Sequence, residues 1–140
     1  DRGVFVWCRG SNPGAADFQD LALADGRQLY EAVAQTARDW NVHGNIGLVA
    51  GATWPDQVRR VREICPDMLL LVPGVGSQEG DLDGAVGAAM DAAGDGFLVN
   101  ASRGILYASP GEDYAAAARS AALDLRERIN RAREAVLDGR

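Results

Sequence analysis

Apolar residues along the chain alternate between two spacings. Val4-Phe5-Val6-Trp7-Cys8 is a short, almost continuously apolar run rich in β-formers, the pattern of a strand buried on both faces. Asn12-Pro13-Gly14 breaks it. Leu21, Leu29, Val33, Ala37 and Trp40 recur at helical or near-helical spacing, which predicts a helix to about Trp40 with room for a short extra one before it. Ile46-Gly47-Leu48-Val49-Ala50 reads as a second strand. Thr53 is the expected N-cap, with Pro55 in the first turn, of a helix carrying Val58, Val61 and Ile64. That helix stops before Pro66. Met68-Leu69-Leu70-Leu71-Val72 predicts a third strand, ended by Pro73-Gly74-Val75-Gly76. Asp81 or Asp83 starts a helix through Ala85, Val86, Ala89 and Met90, and Gly96-Phe97-Leu98-Val99-Asn100 is the fourth strand. The closing helix, from about Tyr114 to Leu137, has Leu123, Leu125, Ile129 and Val136 as its apolar positions.

The order is therefore β-α repeated four times. Strands that are apolar throughout, each followed by a helix, imply a parallel sheet covered by helices. Two architectures accept this pattern: a doubly wound open sheet, and part of an eightfold barrel. Four units in 140 residues are about half of the ~250 residues a complete barrel takes. In both folds the loops after the strands gather at the C-terminal end of the sheet.

Composition narrows the chemistry. The chain is 47% hydrophobic and 24% charged, ordinary for a globular domain. Its longest apolar run, from Met68 to Pro73, is far too short to span a membrane. No signal-peptide pattern opens the sequence, and the start at Asp1 without a methionine reads as a processed or fragment boundary. A net charge of −6 argues against a nucleic-acid partner, which needs a basic face. Cys8 and Cys65 belong to no metal-ligand or redox spacing, so both are expected to be packed, reduced thiols in a cytoplasmic protein. All 14 basic residues are arginine. A chain without lysine supplies no Schiff base and no proton-donating ammonium.

Three loops can carry chemistry. Pro73-Gly74-Val75-Gly76-Ser77-Gln78-Glu79-Gly80-Asp81 follows the third strand. Its glycines let backbone amides approach an anion, and the Gln78 amide can donate to a phosphate oxygen; a merely tight βα loop is the competing reading. Asn100-Ala101-Ser102-Arg103-Gly104 follows the fourth strand. The Arg103 guanidinium there is placed for bidentate phosphate recognition, against the alternative of a solvated surface arginine. In barrels the loops after strands seven and eight frequently build the phosphate site, so the two loops support each other if these are the last four strands. Ser11-Asn12-Pro13-Gly14 follows the first strand, and the Ser11 hydroxyl can read donors and acceptors of a planar heterocycle or simply form a turn. His43 lies before the second strand, at the other end, and reads as a surface residue. Asp81 and Asp83 read as helix-start residues. The arginines of the last helix, interleaved with Asp124, Glu127 and Glu134, read as a solvated, salt-bridged face.

At Leu71-Val72-Pro73-Gly74-Val75-Gly76-Ser77-Gln78-Glu79-Gly80-Asp81 the sequence resembles the PGVGAQGGD loop of the orotidine 5'-phosphate decarboxylase family. Ser11-Asn12-Pro13-Gly14, Val49-Ala50-Gly51-Ala52-Thr53 and Asn100-Ala101-Ser102-Arg103-Gly104-Ile105-Leu106-Tyr107 agree in order and approximate spacing. The last of these, with Ser11-Asn12-Pro13, is similar to the longer bacterial, mycobacterial-like branch. The resemblance implies that residues 1–140 are the C-terminal half of a (β/α)8 barrel, strands five to eight with their helices. It implies that Gln78 and Arg103 bind the substrate phosphate, with the Ser102 and Arg103 amides as backbone donors. It further implies that Ser11 reads the pyrimidine edge and that Pro73 lies beside the base. Serine at 102 replaces a common glycine, and Glu79 brings a negative charge after Gln78, so its side chain is expected to point away from the phosphate. The substrate implied is orotidine 5'-phosphate, with UMP as product, decarboxylated without a cofactor. The family's lysines and aspartates, including a D-x-K motif and an aspartate crossing a homodimer interface, belong to the first half of the barrel. Alone, this chain is expected to be inactive and to need that N-terminal half as partner. Half of a related phosphosugar synthase, such as a hexulose-phosphate synthase, and a non-catalytic phosphate-binding domain are the alternatives.

Overall fold

The β-branched and aromatic runs form the strands Val4–Arg9 (β1), Ile46–Ala50 (β2), Leu70–Pro73 (β3) and Phe97–Asn100 (β4) in a computed structural model that describes residues 2–75 and 81–139. Between and after them run Ala16–Gln19 (α1), Leu29–Trp40 (α2), Pro55–Ile64 (α3), Leu82–Ala89 (α4), Arg103–Leu106 (α5) and Tyr114–Asp138 (α6). All three strand pairings are parallel and the order is β1-β2-β3-β4. A doubly wound sheet reverses its strand order at a switch point. This sheet runs in sequence from one edge to the other, which is barrel order.

Parallel strands joined by right-handed crossovers carry every helix on one side. Val6 and Cys8, Ile46, Leu48 and Ala50, Leu70 and Val72, and Phe97 and Val99 accordingly face the helices and join one core with Ala34, Ala37, Val58, Val61, Ala85, Val86 and Ala132. The alternate residues point the other way, and there Trp7 is 58% and Leu98 49% exposed. β1 is therefore not buried on both faces as its apolar run predicts, because nothing among the described residues covers its second face. Phe5 lies across Gly47 so closely that a β-carbon at 47 would stand 2.5 Å from its ring. A flat patch of this kind is the layer that fills the inside of a closed barrel.

Local signals set most helix ends. Gln28 and Glu31 form a capping box at the start of α2, the Glu31 carboxylate accepting the Gln28 N–H at 2.7 Å. Asp81 is the N-cap of α4, as its position suggests. Thr53 is not the cap of α3: Pro55 takes the first helical position, which makes Trp54 the N-cap residue. Leu21 falls outside the helices, in an extended segment between α1 and α2 tied by an Ala22–Gln28 bridge. α6 packs through Leu125, Ile129, Ala132 and Val136. Its ion pair among the described residues, Arg133 with Asp95 at 2.8 Å, leaves the helix instead of running along it.

Both cysteines are free and buried. Cys8 Sγ donates to the Tyr30 carbonyl at 3.2 Å and Cys65 Sγ to the Ala34 carbonyl at 3.4 Å. Burial pushes the Cys8 thiol up to about 12 and the Cys65 thiol up to about 11, so neither offers a thiolate at neutral pH.

Candidate functional site

Parallel register brings the ends of the strands, and hence the loops, together. Arg9 lies opposite Ala50 and Pro73 opposite Asn100. Between those pairs the Gly51 N–H donates to the Arg9 carbonyl and the Ala52 N–H to the Pro73 carbonyl, both at 2.8 Å. Ser11, Pro73, Ser102 and Arg103 thus all stand at the C-terminal end of one sheet, within three residues of this line. Gln78 lies outside the described residues. His43 is exposed in the turn between α2 and β2, at the opposite end.

Each site residue is positioned differently. Ser11 follows β1 in a loop that turns through a 3-10 segment, Pro13–Ala15, into α1. The Ser11 backbone lies directly against Gly51, where a β-carbon would be 2.5 Å from Ser11 N and 2.6 Å from its Cα. Only glycine permits that approach. Pro73 ends β3, where its missing N–H is no loss and its carbonyl is occupied by Ala52. Ser102 is the N-cap residue of α5, its carbonyl accepting from the Ile105 and Leu106 N–H groups at 3.2 and 2.8 Å. Arg103 opens that helix with an exposed side chain. A cleft of about 240 Å³ lies between α5 and α6, lined by Val75, Ala101, Gly104, Ile105, Leu125 and Arg128 among others.

Two further features were not anticipated from sequence. Arg9, at the end of β1, is buried and forms a two-pronged pair with Asp20, Nε to Oδ1 at 2.8 Å and Nη2 to Oδ2 at 2.9 Å. Its guanidinium carbon lies 5.3 Å from the centre of the Trp54 ring, a stacked cation–π distance. An arginine directly after an apolar run was the signal available. The second feature is a pair of buried polar atoms after β2, Thr53 Oγ1 and Trp54 Nε1, which have no hydrogen-bond partner among the described residues. Unpaired buried polar atoms at a loop end are costly and call for a partner. Among the described residues no group of three His, Cys, Asp or Glu side chains could hold a metal ion.

Known proteins resemble this chain in both sequence and fold. The model of the "Orotidine 5'-phosphate decarboxylase / HUMPS family" matches residues 1–120. The chain belongs to this family. The protein named orotidine 5'-phosphate decarboxylase in Roseiflexus sp. strain RS-1 is 58% identical over 132 residues, covering 94% of this chain and 48% of the relative. Its counterpart in Cupriavidus necator is 54% identical over 134 residues, covering 95% and 49%. Among solved structures, the OMP decarboxylase of Leishmania donovani superposes with a TM-score of 0.79 at 44% identity, covering 95% of this chain and 49% of that one. The UMP synthase of the same organism does so with a TM-score of 0.82 at 46% identity, covering 95% and 28%. The chain thus spans about half the length of the curated orotidine 5'-phosphate decarboxylases it matches. No helix among the described residues is long and apolar enough to cross a membrane.

Proposed function

We propose that this chain is the substrate-recognising, C-terminal half of an orotidine 5'-phosphate decarboxylase of the longer bacterial branch, acting in the cytoplasm on orotidine 5'-phosphate to give UMP. The observation that carries the reading is the parallel register that brings the ends of β1, β3 and β4 to one end of the sheet, in a chain of that family. Arg103 takes the phosphate, helped by Gln78 and by the backbone amides of Ser102 and Arg103. Ser11 reads the pyrimidine edge, and Pro73 lies beside the base. Binding energy on the phosphate, remote from the reacting carbon, lowers the barrier there.

The chain's own residues bind and orient. With no lysine in the sequence, proton delivery to the carbon that loses carbon dioxide falls to an N-terminal half-barrel, and the complete enzyme is a homodimer. The bare apolar face and the two open edge strands support such a partner, because a sheet of this kind needs covering and pairing.

UMP is expected to raise the thermal midpoint of this chain, and Arg103→Ala to remove the rise. Loss of one charged, bidentate contact corresponds to about 2 kcal/mol of binding. Equal protection of parent and variant would refute the phosphate assignment.

A further inference from the structure

Arg9 spends a buried charge on a loop, and the hydrogen bonds show what that secures. Its Nη1 donates to the Gly10 carbonyl at 2.9 Å, the carbonyl of the peptide that carries the Ser11 nitrogen. The preceding peptide is held from both sides, the Gly10 N–H donating to Gln19 Oε1 at 2.7 Å and the Arg9 carbonyl accepting from Gly51 at 2.8 Å. Asp20 closes the loop by gripping the same guanidinium, and Trp54 stacks on it from the β2 loop. Residues 9–20 therefore form a compact loop pinned at both ends, with Ser11 one residue beyond the pin.

We infer that Arg9, clamped by Asp20 and Trp54, is a positioning residue that fixes the Ser11 peptide and so sets selectivity for the pyrimidine. This rests on the reading of Ser11 given above. A buried ion pair adds little net stability compared with an apolar pair, and its best-attested value is geometric. Arg9 is 1% exposed, so it acts through Ser11 and touches no ligand. Ser102 and Arg103 follow β4, the strand farthest from β1 in the sheet. Loosening the clamp therefore affects the base and spares the phosphate. A small misplacement of a recognising group is enough to lose its contribution.

The test compares UMP with ribose 5-phosphate, which lacks the base, by calorimetry on the full-length protein carrying this chain. Asp20→Asn keeps the shape and weakens the clamp; Gln19→Ala frees the Gly10 N–H and leaves the ion pair intact, should Asp20→Asn fold poorly. Either variant is expected to lower UMP affinity about tenfold, the scale of one hydrogen bond, with ribose 5-phosphate affinity unchanged. Ser11→Ala, run in parallel, should show the same split. If Ser11→Ala splits the ligands and the clamp variants do not, the positioning role is overturned and the Ser11 reading stands. If a clamp variant weakens both ligands alike, in step with its thermal midpoint, Arg9 is structural only and the inference is likewise overturned. A Ser11→Ala protein with unchanged UMP affinity overturns both.

Discussion

At the end of the sheet where the strands begin, Arg62 donates to five backbone carbonyls, Nε to Ala89 at 2.9 Å, Nη1 to Cys65, Pro66 and Met68 at 3.0, 3.0 and 2.7 Å, and Nη2 to Gly96 at 2.7 Å. At the end where the strands finish, Arg9 grips a carboxylate and a single carbonyl, and Thr53 Oγ1 and Trp54 Nε1 lie buried without partners among the described residues. The lower arginine gathers the termini of α3 and α4 and the entries to β3 and β4, satisfying carbonyls that a turn alone would leave exposed to an apolar interior. Burial depresses its ionisation below the ordinary arginine range, with Asp91 acting in the opposite sense. The upper end instead keeps polar groups in reserve and sets exposed Ser102 and Arg103 on a four-residue helix. One end holds the sheet together, and the other is the end at which the ligand site is proposed, the division of labour that barrels show between their two faces.

The largest effect expected from breaking this contrast is at the lower end. Arg62→Met keeps much of the side chain's length but withdraws its donors from five carbonyls, of which those of Cys65 and Gly96 also accept from the backbone N–H groups of Met68 and Leu70. The cost is roughly 3–4 kcal/mol. Denaturant unfolding should show that loss as a lower midpoint. The fraction that remains folded should bind UMP with parent affinity, because Arg62 lies at the end away from the loops. A loss of affinity beyond the unfolded fraction would mean the two ends are coupled.

A smaller, mixed effect is expected at the upper end from Gly51→Ala. The added methyl group meets the backbone of Ser11 and Gly10, which cannot swing aside as a side chain would. Overpacking of this kind costs about 1–3 kcal/mol, and here it also displaces Ser11. The variant should therefore lose both stability and UMP affinity, unlike Arg62→Met. Parent affinity in a destabilised Gly51→Ala protein would show that the contact merely packs two loops.

How much of this was legible beforehand follows from length scale. The four strands and four long helices were readable because period and run length survive over five or more residues, although the strand limits moved by one or two positions, as with β3 at Leu70–Pro73. Strand order was not readable, since apolar runs carry no record of their neighbours, and the doubly wound alternative fell only to the observed β1-β2-β3-β4 order. Four-residue α5 is shorter than a helical period can reveal. Arg62 sits beside Val61 on a helix whose apolar positions mark only one face, so nothing in the pattern says that a long side chain folds back under the sheet. Arg9 was missed for a related reason: a charge after a strand looks like the strand's end, and its partner Asp20 is 11 residues away. That Ser11, Ser102 and Arg103 stand just after strands was legible because glycine and proline after an apolar run mark a strand's end.

The smallest expected effect separates the ends by their carboxylates. Glu31, at the start of α2, is held below the usual glutamate range first by the Arg60 guanidinium at 2.6 Å and then by the Gln28 N–H. Asp91, at the lower end, is held below the usual aspartate range chiefly by the backbone N–H groups of Asp95 and Ala93, each at 2.9 Å. In both cases the folded state prefers the ionised form. Each group therefore contributes stability above its unfolded pKa, and that contribution fades as pH falls through the depressed folded value. They differ in salt response, because a guanidinium half exposed to solvent is screened and a backbone amide is not. Glu31→Gln should remove a contribution of about 0.5–1 kcal/mol at neutral pH, the scale of a helix cap. Below the folded value of Glu31 the variant and the parent should converge. Raising salt should shrink the Glu31 difference more than the Asp91→Asn difference, because the other charge acting on Asp91, Arg62, is buried and less screened. Denaturant midpoints from pH 3 to pH 7 at two salt concentrations would show it. Equal salt sensitivity of the two variants would mean that the backbone amides, and not Arg60, dominate at Glu31, and the electrostatic contrast between the ends would be lost.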